Sequence, residues 1–100
     1  MENISVKNIV EATGGRLLCG NGDTVLRHLS IDSRQTGADT LFIPLIGERT
    51  DAHAFITQAL EGGAAASLTS EHESAPDGFT GALIRVDDTK KALQDIGRYL

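Results

Sequence analysis

The sequence LFIPLIGERTDAHAFITQAL, at residues 41–60, decides the fold because its apolar pattern changes period half-way along. Residues 41–46 are apolar throughout, which is typical of a short strand covered on both faces. Beyond them the apolar residues recur at helical spacing, at Ala52, Phe55, Ile56, Ala59 and Leu60. A buried strand followed by an amphipathic helix is the building unit of α/β folds.

Pro44 interrupts the apolar run, and proline cannot donate a hydrogen bond to a neighbouring strand. We therefore predict that this strand lies at the edge of the sheet or is irregular at Pro44. Asp51, just before the helical pattern, is suited to be the helix N-cap, and the pair Gly62-Gly63 predicts where the helix ends.

The elements on either side follow from the same patterns. Strands are predicted at residues 16–18, 24–31, 64–69 and 82–86, with a turn at 20–23 and a polar loop at 70–81. Ser5 and Thr89 are suited to open helices, whose apolar stripes are Val6, Ile9, Val10 and Thr13 in the first and Ala92, Leu93, Ile96, Tyr99 and Leu100 in the last. The order of elements predicts the α/β class, with a small mixed β-sheet flanked by helices.

Length and composition restrict the function. One hundred residues make one small domain, and the net charge of −5 argues against nucleic acid or an anionic membrane as partner. No apolar run approaches the roughly 20 residues that span a bilayer. Cys19, the single cysteine, excludes an intrachain disulfide and is expected to be a small buried hydrophobe. We expect a cytoplasmic domain, and the helix that reaches Leu100 without a polar tail suggests that it belongs to a longer protein.

The segment Asp32-Ser33-Arg34 is the first candidate site, because it follows an apolar strand and strand ends commonly hold ligands in α/β folds. Ser33 can donate and accept hydrogen bonds, and Arg34 carries donors for a phosphate or carboxylate. The structural alternative is an Asx-turn at Asp32 with a solvated Arg34, and residue chemistry alone favours that alternative.

The loop 47–51 is the second candidate, since it leads into a helix N-terminus that favours anions. Gly47 allows a ligand close to the backbone, and Arg49 offers a charged hydrogen bond. An N-cap at Asp51 would compete with a phosphate for the same N–H groups. His53 lies away from the apolar stripe and is more typical of a polar surface group than of a catalyst.

Several chemistries are not indicated. The sequence contains no Gly-x-x-x-x-Gly-Lys-Ser/Thr loop for a nucleoside triphosphate. His28, His53 and His72 are far apart and no second cysteine is present, so zinc is unsupported. The chain is therefore interpreted as a binding module rather than a catalyst.

The ordered motifs resemble the N-terminal domain of the Mur ligases. They are IDSR at 31–34, LFIPLIGERTDAHAFI at 41–56 and, after Ala59, GAAA at 63–66. The spelling Gly-Glu-Arg at 47–49 and the sequence VDDT at 86–89 favour the MurF branch of this family over the MurE branch, which shares the Asp-Ser-Arg element.

The resemblance implies that residues 1–100 are a single domain that binds the UDP end of UDP-N-acetylmuramoyl-peptide. It implies that this ligand is bound by Ile31, Ser33, Arg34, Glu48, Arg49 and Thr50, the last three largely through backbone contacts with the uracil or ribose. Gly47, Asp51 and His53 match the motif as residues that shape the site. No catalytic residue, metal ligand or cofactor is implied within these 100 residues.

The resemblance also implies the rest of the enzyme. A central domain that binds ATP and Mg²⁺ and a third domain, both absent here, would complete an amide-forming ligase that adds D-Ala-D-Ala to UDP-N-acetylmuramoyl-tripeptide. That reaction belongs to peptidoglycan biosynthesis, and so to the cell wall, cell shape and cell division. The 100-residue chain alone is not expected to be active.

Two alternatives remain open, namely a MurE-type ligase domain, which adds the third residue of the peptide, and a non-catalytic interaction module on the same fold. The sequence also departs from the family pattern at three places. Ala52 replaces the commoner glycine, Ala54 stands where an aspartate is frequent, and the connection 35–39 lacks the usual Pro-Gly. The last difference bears on turn geometry, because the spacing from Arg34 to Phe42 is kept.

Overall fold

The computed structural model describes residues 3–47, 52–76 and 79–99, with the side chains of residues 52 and 53 excepted. The strands are β1 (Ile4–Ser5), β2 (Arg16–Cys19), β3 (Val25–Leu26), β4 (His28–Ser30), β5 (Thr40–Phe42), β6 (Ala66–Thr69) and β7 (Ala82–Arg85). The helices are α1 (Val6–Thr13), a 3₁₀ turn at Ala52–Phe55, α2 (Ile56–Glu61) and α3 (Thr89–Tyr99). Within this described part, no helix is long and apolar enough to cross a membrane.

A five-stranded mixed sheet organises the domain, in the order β2-β7-β6-β5-β4. Strands β4 to β7 are mutually parallel, and β2 is antiparallel to β7 at one edge. β1 and β3 form a separate antiparallel pair. The predicted α/β class with a mixed sheet is confirmed.

Helix α1 has the local signals that its sequence predicts. Ser5 Oγ accepts a hydrogen bond from the backbone N–H of Asn8 at 3.3 Å, and the Asn8 side chain accepts from the Ser5 N–H at 3.0 Å. This reciprocal capping box satisfies two donors at the helix start. Gly14, at φ 67°, ends the helix in the left-handed conformation that glycine adopts without strain.

Helices cover both faces of the sheet. One face packs under α1 and α3 through fully buried aliphatic side chains, which include Val6, Ile9, Leu41, Ile84 and Ile96. The other face packs under α2 through a smaller cluster of Phe42, Ile56, Ala59 and Ala64. The interior strand β5 contributes to both clusters, which explains its apolar residues on successive positions.

The predicted single strand at 24–31 is wrong, because the chain forms β3 and β4 in two different sheets. The cause is Asp39, which takes the positive φ of 62°. Its carbonyl oxygen accepts hydrogen bonds from the N–H groups of Arg27 and His28, at 2.8 and 3.1 Å. Its carboxylate also pairs with the Arg27 side chain at 2.8 Å. This fixed corner redirects the chain between the two strands.

One of the two alternatives predicted for the strand that precedes Pro44, a position at the edge of the sheet, is wrong. β5 lies inside the sheet, between β4 and β6, and is not an edge strand. The strand ends at Phe42, so Pro44 lies beyond it and its missing N–H does not interrupt the pairing of β5. The second alternative, an irregularity at Pro44, is the one observed.

The amphipathic segment is a helix, but it begins in the 3₁₀ form over Ala52–Phe55. A 3₁₀ turn has about 3.0 residues rather than 3.6, so it moves the apolar stripe around the axis. Ile56 and Ala59 are buried as predicted, whereas Phe55 is 40% exposed and is not core. The predicted N-cap Asp51 lies outside the described residues.

Two smaller expectations are also corrected. Tyr99 belongs to the predicted stripe of α3 but is 47% exposed. Cys19 is half-buried rather than buried, and its Sγ lies 3.6 Å from the Gly81 carbonyl oxygen, to which it donates. Leu100, the last residue of the predicted stripe, lies outside the described part.

Candidate functional site

The carboxyl edge of the sheet gathers the candidate segments. Because β4 and β5 are parallel and adjacent, with Ser30 opposite Phe42, the residues that follow each strand emerge side by side. Ile31 to Arg34 follow β4, and the chain from Ile43 to Gly47 follows β5. This edge is where ligands bind in open α/β sheets.

The turn that follows β4 is fixed by short hydrogen bonds. Ser30 Oγ donates to the Asp32 carbonyl oxygen at 2.9 Å and accepts from the Asp32 N–H at 3.1 Å. The Gln35 N–H donates to the same carbonyl oxygen at 3.0 Å. The turn therefore presents Ser33 in a fixed orientation.

Asp32 and Arg34 form a closed pair within this turn. Arg34 Nε and one terminal nitrogen donate to the two Asp32 carboxylate oxygens at 3.1 and 3.0 Å, and the Arg34 backbone N–H donates to Oδ1 at 2.9 Å. These bonds are the Asx-turn foreseen as the structural alternative. They engage the guanidinium in the turn, although the Arg34 side chain is 79% exposed.

The same pair changes both ionisation equilibria. Hydrogen bonds from the Arg34 side chain and backbone lower the pKa of Asp32 below its ordinary value of 3.8. The hydrogen bond to Asp32, and then its charge, raise the pKa of Arg34. Both ions are therefore stabilised in the folded state.

We expect Arg34→Met to raise the pKa of Asp32 in the folded protein back towards its ordinary value, because the main source of the shift is removed. In the native chain this carboxylate contributes stability above the unfolded pKa, and the contribution is lost as pH falls through the lowered pKa. Carboxyl-carbon NMR titration measures the change, with Arg98→Met as control. An Asp32 pKa that is equal in the native chain and in Arg34→Met would contradict the assignment.

Two hydrogen bonds tie the turn to α2. Ser33 Oγ donates to Gln58 Oε1 at 3.1 Å, and Thr36 Oγ1 donates to the Ala59 carbonyl oxygen at 3.0 Å. Gly62 lets Thr36 approach, since a Cβ at position 62 would lie 2.9 Å from Thr36 Oγ1. The loop after β4 and helix α2, which follows β5, are thus joined, and together they form one wall of a cleft.

A cleft of about 570 Å³ opens beside this wall, a size in the range of small-molecule sites. It is lined by Ile31, Asp32, Ser33, Arg34, Phe42, Phe55 and Gln58. A second hollow, of about 530 Å³, is lined by Ile31, Leu45, Ile46, Gly47, Lys90, Leu93 and Gln94. Ile31 lines both hollows.

The exposure of two aliphatic side chains marks this edge. Ile31 is 56% exposed and Ile46 is 62% exposed, and both line the second hollow. Adjacent exposed aliphatic groups at a strand-end cleft with polar neighbours indicate a ligand surface. A planar apolar group placed there would remove both side chains from water.

The predicted site residues fall into three groups. Ile31, Ser33, Arg34 and Gly47 are brought together at the carboxyl edge. Glu48, Arg49, Thr50 and Asp51 lie outside the described residues. His53 belongs to the 3₁₀ turn, but its side chain is not described.

Sequence reasoning missed Phe55, Gln58 and Leu93 as residues that line these hollows. Phe55 and Leu93 follow the apolar stripes of their helices, so the pattern alone assigns both to the core. Gln58 lies on the polar side of α2, and no sequence signal distinguishes it from a solvated side chain.

The family model described as "Mur ligase family, catalytic domain" matches residues 25–99. This chain belongs to the Mur ligase family. The UDP-N-acetylmuramoyl-tripeptide–D-alanyl-D-alanine ligase of Bacillus subtilis is 41% identical over 95 residues, which are 94% of this chain and 21% of that protein. A UDP-N-acetylmuramoyl-L-alanyl-D-glutamate–2,6-diaminopimelate ligase of Bacteroides fragilis is 37% identical, over 68% of this chain and 14% of that protein.

Solved structures agree with these sequence matches. A crystal structure of MurF from Acinetobacter baumannii matches 99% of this chain and 21% of its own chain, with a TM-score of 0.85 and 28% identity. MurF of Thermotoga maritima in complex with ADP matches 72% of this chain and 16% of its own, with a TM-score of 0.61 and 25% identity. The chain is thus a Mur ligase N-terminal domain of the MurF type, and MurE-type ligases are weaker relatives. It spans about a fifth of the length of these MurF relatives.

Proposed function

We propose that this domain binds the UDP end of UDP-N-acetylmuramoyl-peptide at the carboxyl edge of β4 and β5. The observation that carries the proposal is Ile31, an exposed aliphatic side chain that lines two hollows and precedes Ser33 in a fixed turn. A uracil ring needs one apolar face and a few fixed hydrogen-bond partners, and this edge offers both.

The proposed contacts follow from the family motif. Ile31 packs against the nucleoside, and Ser33 hydrogen-bonds to it. Glu48, Arg49 and Thr50 contact the uracil or ribose, largely through their backbone groups. Gly47 leaves room for that approach.

Arg34 has a different proposed role from its neighbours. Its guanidinium already donates two hydrogen bonds to the Asp32 carboxylate. A direct contact with a phosphate would therefore have to compete with Asp32 for the N–H groups of Arg34. We propose that Arg34 chiefly holds the turn that orients Ser33, and that Asp51 and His53 shape the loop beyond Gly47.

ATP and Mg²⁺ are proposed to bind outside these 100 residues. The sequence has no triphosphate-binding loop, and the described residues contain no group of three side chains that would hold a metal ion. These two observations support the proposal that both groups bind elsewhere in the protein.

The whole protein is proposed to be an ATP-dependent ligase that joins D-Ala-D-Ala to UDP-N-acetylmuramoyl-tripeptide, in the cytoplasm, for peptidoglycan synthesis. Residues 1–100 would be one domain of it, in contact with central and third domains. The longer and stronger matches to D-alanyl-D-alanine ligases support this proposal over the MurE-type alternative.

The full-length protein distinguishes the candidates directly. With ATP, we expect amide formation from UDP-N-acetylmuramoyl-tripeptide and D-Ala-D-Ala, and none from the dipeptide precursor and a diamino acid. The reverse preference would identify the MurE-type alternative. Absence of both reactions, with UDP still bound, would favour the non-catalytic module.

We expect Ile31→Ala to weaken UDP binding by about five- to tenfold, because it removes roughly 1 to 1.5 kcal/mol of apolar contact. Isothermal titration calorimetry measures the dissociation constant. Val25→Ala is the matched control, since Val25 is also an exposed aliphatic residue, at 41%, but lies on β3. Equal effects of the two substitutions would contradict the proposed site.

A further inference from the structure

The Ser33 hydroxyl is hydrogen-bonded to a side chain of helix α2. It donates its hydrogen to Gln58 Oε1 at 3.1 Å, across a gap of 25 positions in the sequence. Gln58 lies on α2 between Ile56 and Ala59, which are 3% and 0% exposed, so its backbone is held against the sheet. The bond from Thr36 Oγ1 to the Ala59 carbonyl oxygen fixes the same helix against the same loop.

A serine hydroxyl has one hydrogen to donate and two lone pairs that accept. When Gln58 Oε1 takes that hydrogen, Ser33 Oγ offers the cleft only its lone pairs. The Gln58 amide nitrogen, which carries two N–H donors, belongs to a side chain that lines the same cleft. The pair therefore combines an acceptor from Ser33 with a donor from Gln58.

We propose that Gln58 is a positioning residue that makes Ser33 an obligate hydrogen-bond acceptor, so that the site selects a ligand that donates to Ser33 Oγ. In a uridine nucleotide the groups of that chemistry are the ring imide N–H and the ribose hydroxyls. This inference rests on the proposed function. It adds Gln58, which lies outside the Asp-Ser-Arg and Gly-Glu-Arg-Thr motifs, to the proposed site. It also states that the ligand donates, and Ser33 Oγ accepts, the hydrogen bond between them.

The test compares UDP affinities by calorimetry for four variants. Gln58→Met removes the acceptor and keeps the length of the side chain, and we expect about a three- to tenfold loss of affinity. Gln58→Glu keeps an acceptor oxygen for Ser33 but loses the amide donor, and it is expected to lose less affinity than Gln58→Met. Ser33→Ala is expected to match Gln58→Met, and the double variant to lose little more than either single one.

Ligand analogues identify the donor. UDP methylated at the ring N3 lacks the imide N–H, whereas 2′-deoxy-UDP and 3′-deoxy-UDP each lack one hydroxyl. We expect one of the three to bind the native chain weakly and to be insensitive to Gln58→Met, because the contact that Gln58 orients is already lost. The other two should remain as sensitive to Gln58→Met as UDP.

Gln35→Met is the matched control for changes of loop stability, since Gln35 is exposed in the same loop. It is expected to leave UDP affinity unchanged. The inference is overturned if UDP binds but Gln58→Met has no effect, if Gln58→Glu loses as much affinity as Gln58→Met, or if all three analogues retain full sensitivity to Gln58→Met. Failure of the native chain to bind UDP at all would instead overturn the proposed function, and this inference with it.

Discussion

Replacing Phe42 with alanine is expected to lower the free energy of unfolding by about 3 to 5 kcal/mol. Phe42 is fully buried at the end of β5, where it packs with Ile56, Ala59 and Ala64 under α2. These four residues form the buried part of the smaller core, so the remaining side chains have little capacity to fill the cavity. Since domains of this size are stable by about 5 to 15 kcal/mol, the loss is a large fraction of the total.

Urea denaturation followed by circular dichroism measures this loss, and Phe55→Ala supplies the matched control. Phe55 is 40% exposed and lines the cleft, so its removal should cost less than about 1 kcal/mol and should instead weaken UDP binding. Equal destabilisation by the two substitutions would show that Phe55 is core after all, as its sequence spacing suggests.

Replacing Gly20 with alanine is expected to destabilise the domain by at least about 2 kcal/mol. Gly20 follows β2 and has a φ of 94°, a backbone conformation that is strained for any residue with a side chain. A Cβ there would lie 2.5 Å from the Cα of Ala82, and the backbone of β7 cannot move aside without disturbing the sheet. The strain and the overlap therefore act together.

Thermal and urea unfolding of Gly20→Ala and Gly37→Ala test this explanation. At Gly37 the φ is not positive and no atom lies within 4 Å of the place that a Cβ would occupy, so its substitution should leave stability nearly unchanged or slightly higher. A loss of similar size at both positions would mean that the close approach of β2 to β7 is not the cause.

The parts of the fold that the sequence predicted are those specified by neighbouring residues. Helix α1 has its cap at Ser5 and its end at Gly14, all within ten positions, and it appears as predicted. The break between β3 and β4 was missed because it depends on Asp39, which is 12 positions away from Arg27. The residues next to Arg27 give no indication of this interaction, so the change of chain direction could not be predicted from the local sequence.

The same distinction separates the predicted site residues from the missed ones. Ile31 and Ser33 belong to a contiguous motif, so their position at a strand end followed from the sequence. Gln58 joins the site only because β4 and β5 are parallel neighbours, which brings α2 against the loop after β4. That juxtaposition is a property of the sheet order, which the sequence pattern does not specify.

Amide chemical shifts recorded by NMR while UDP is added to this domain test the central claim most directly. We predict saturable shifts concentrated at residues 31–34, at Gly47 and the three residues after it, and at Gln58. The groove lined by Arg16, Glu73 and Arg85 serves as an internal control, because it lies by strands β2 and β7, at the end of the sheet opposite to β4. The amide signals of these three residues should not shift. Unmoved amides at Ser33 and Gly47 at millimolar UDP, or shifts confined to the Arg16 groove, would contradict the proposed site.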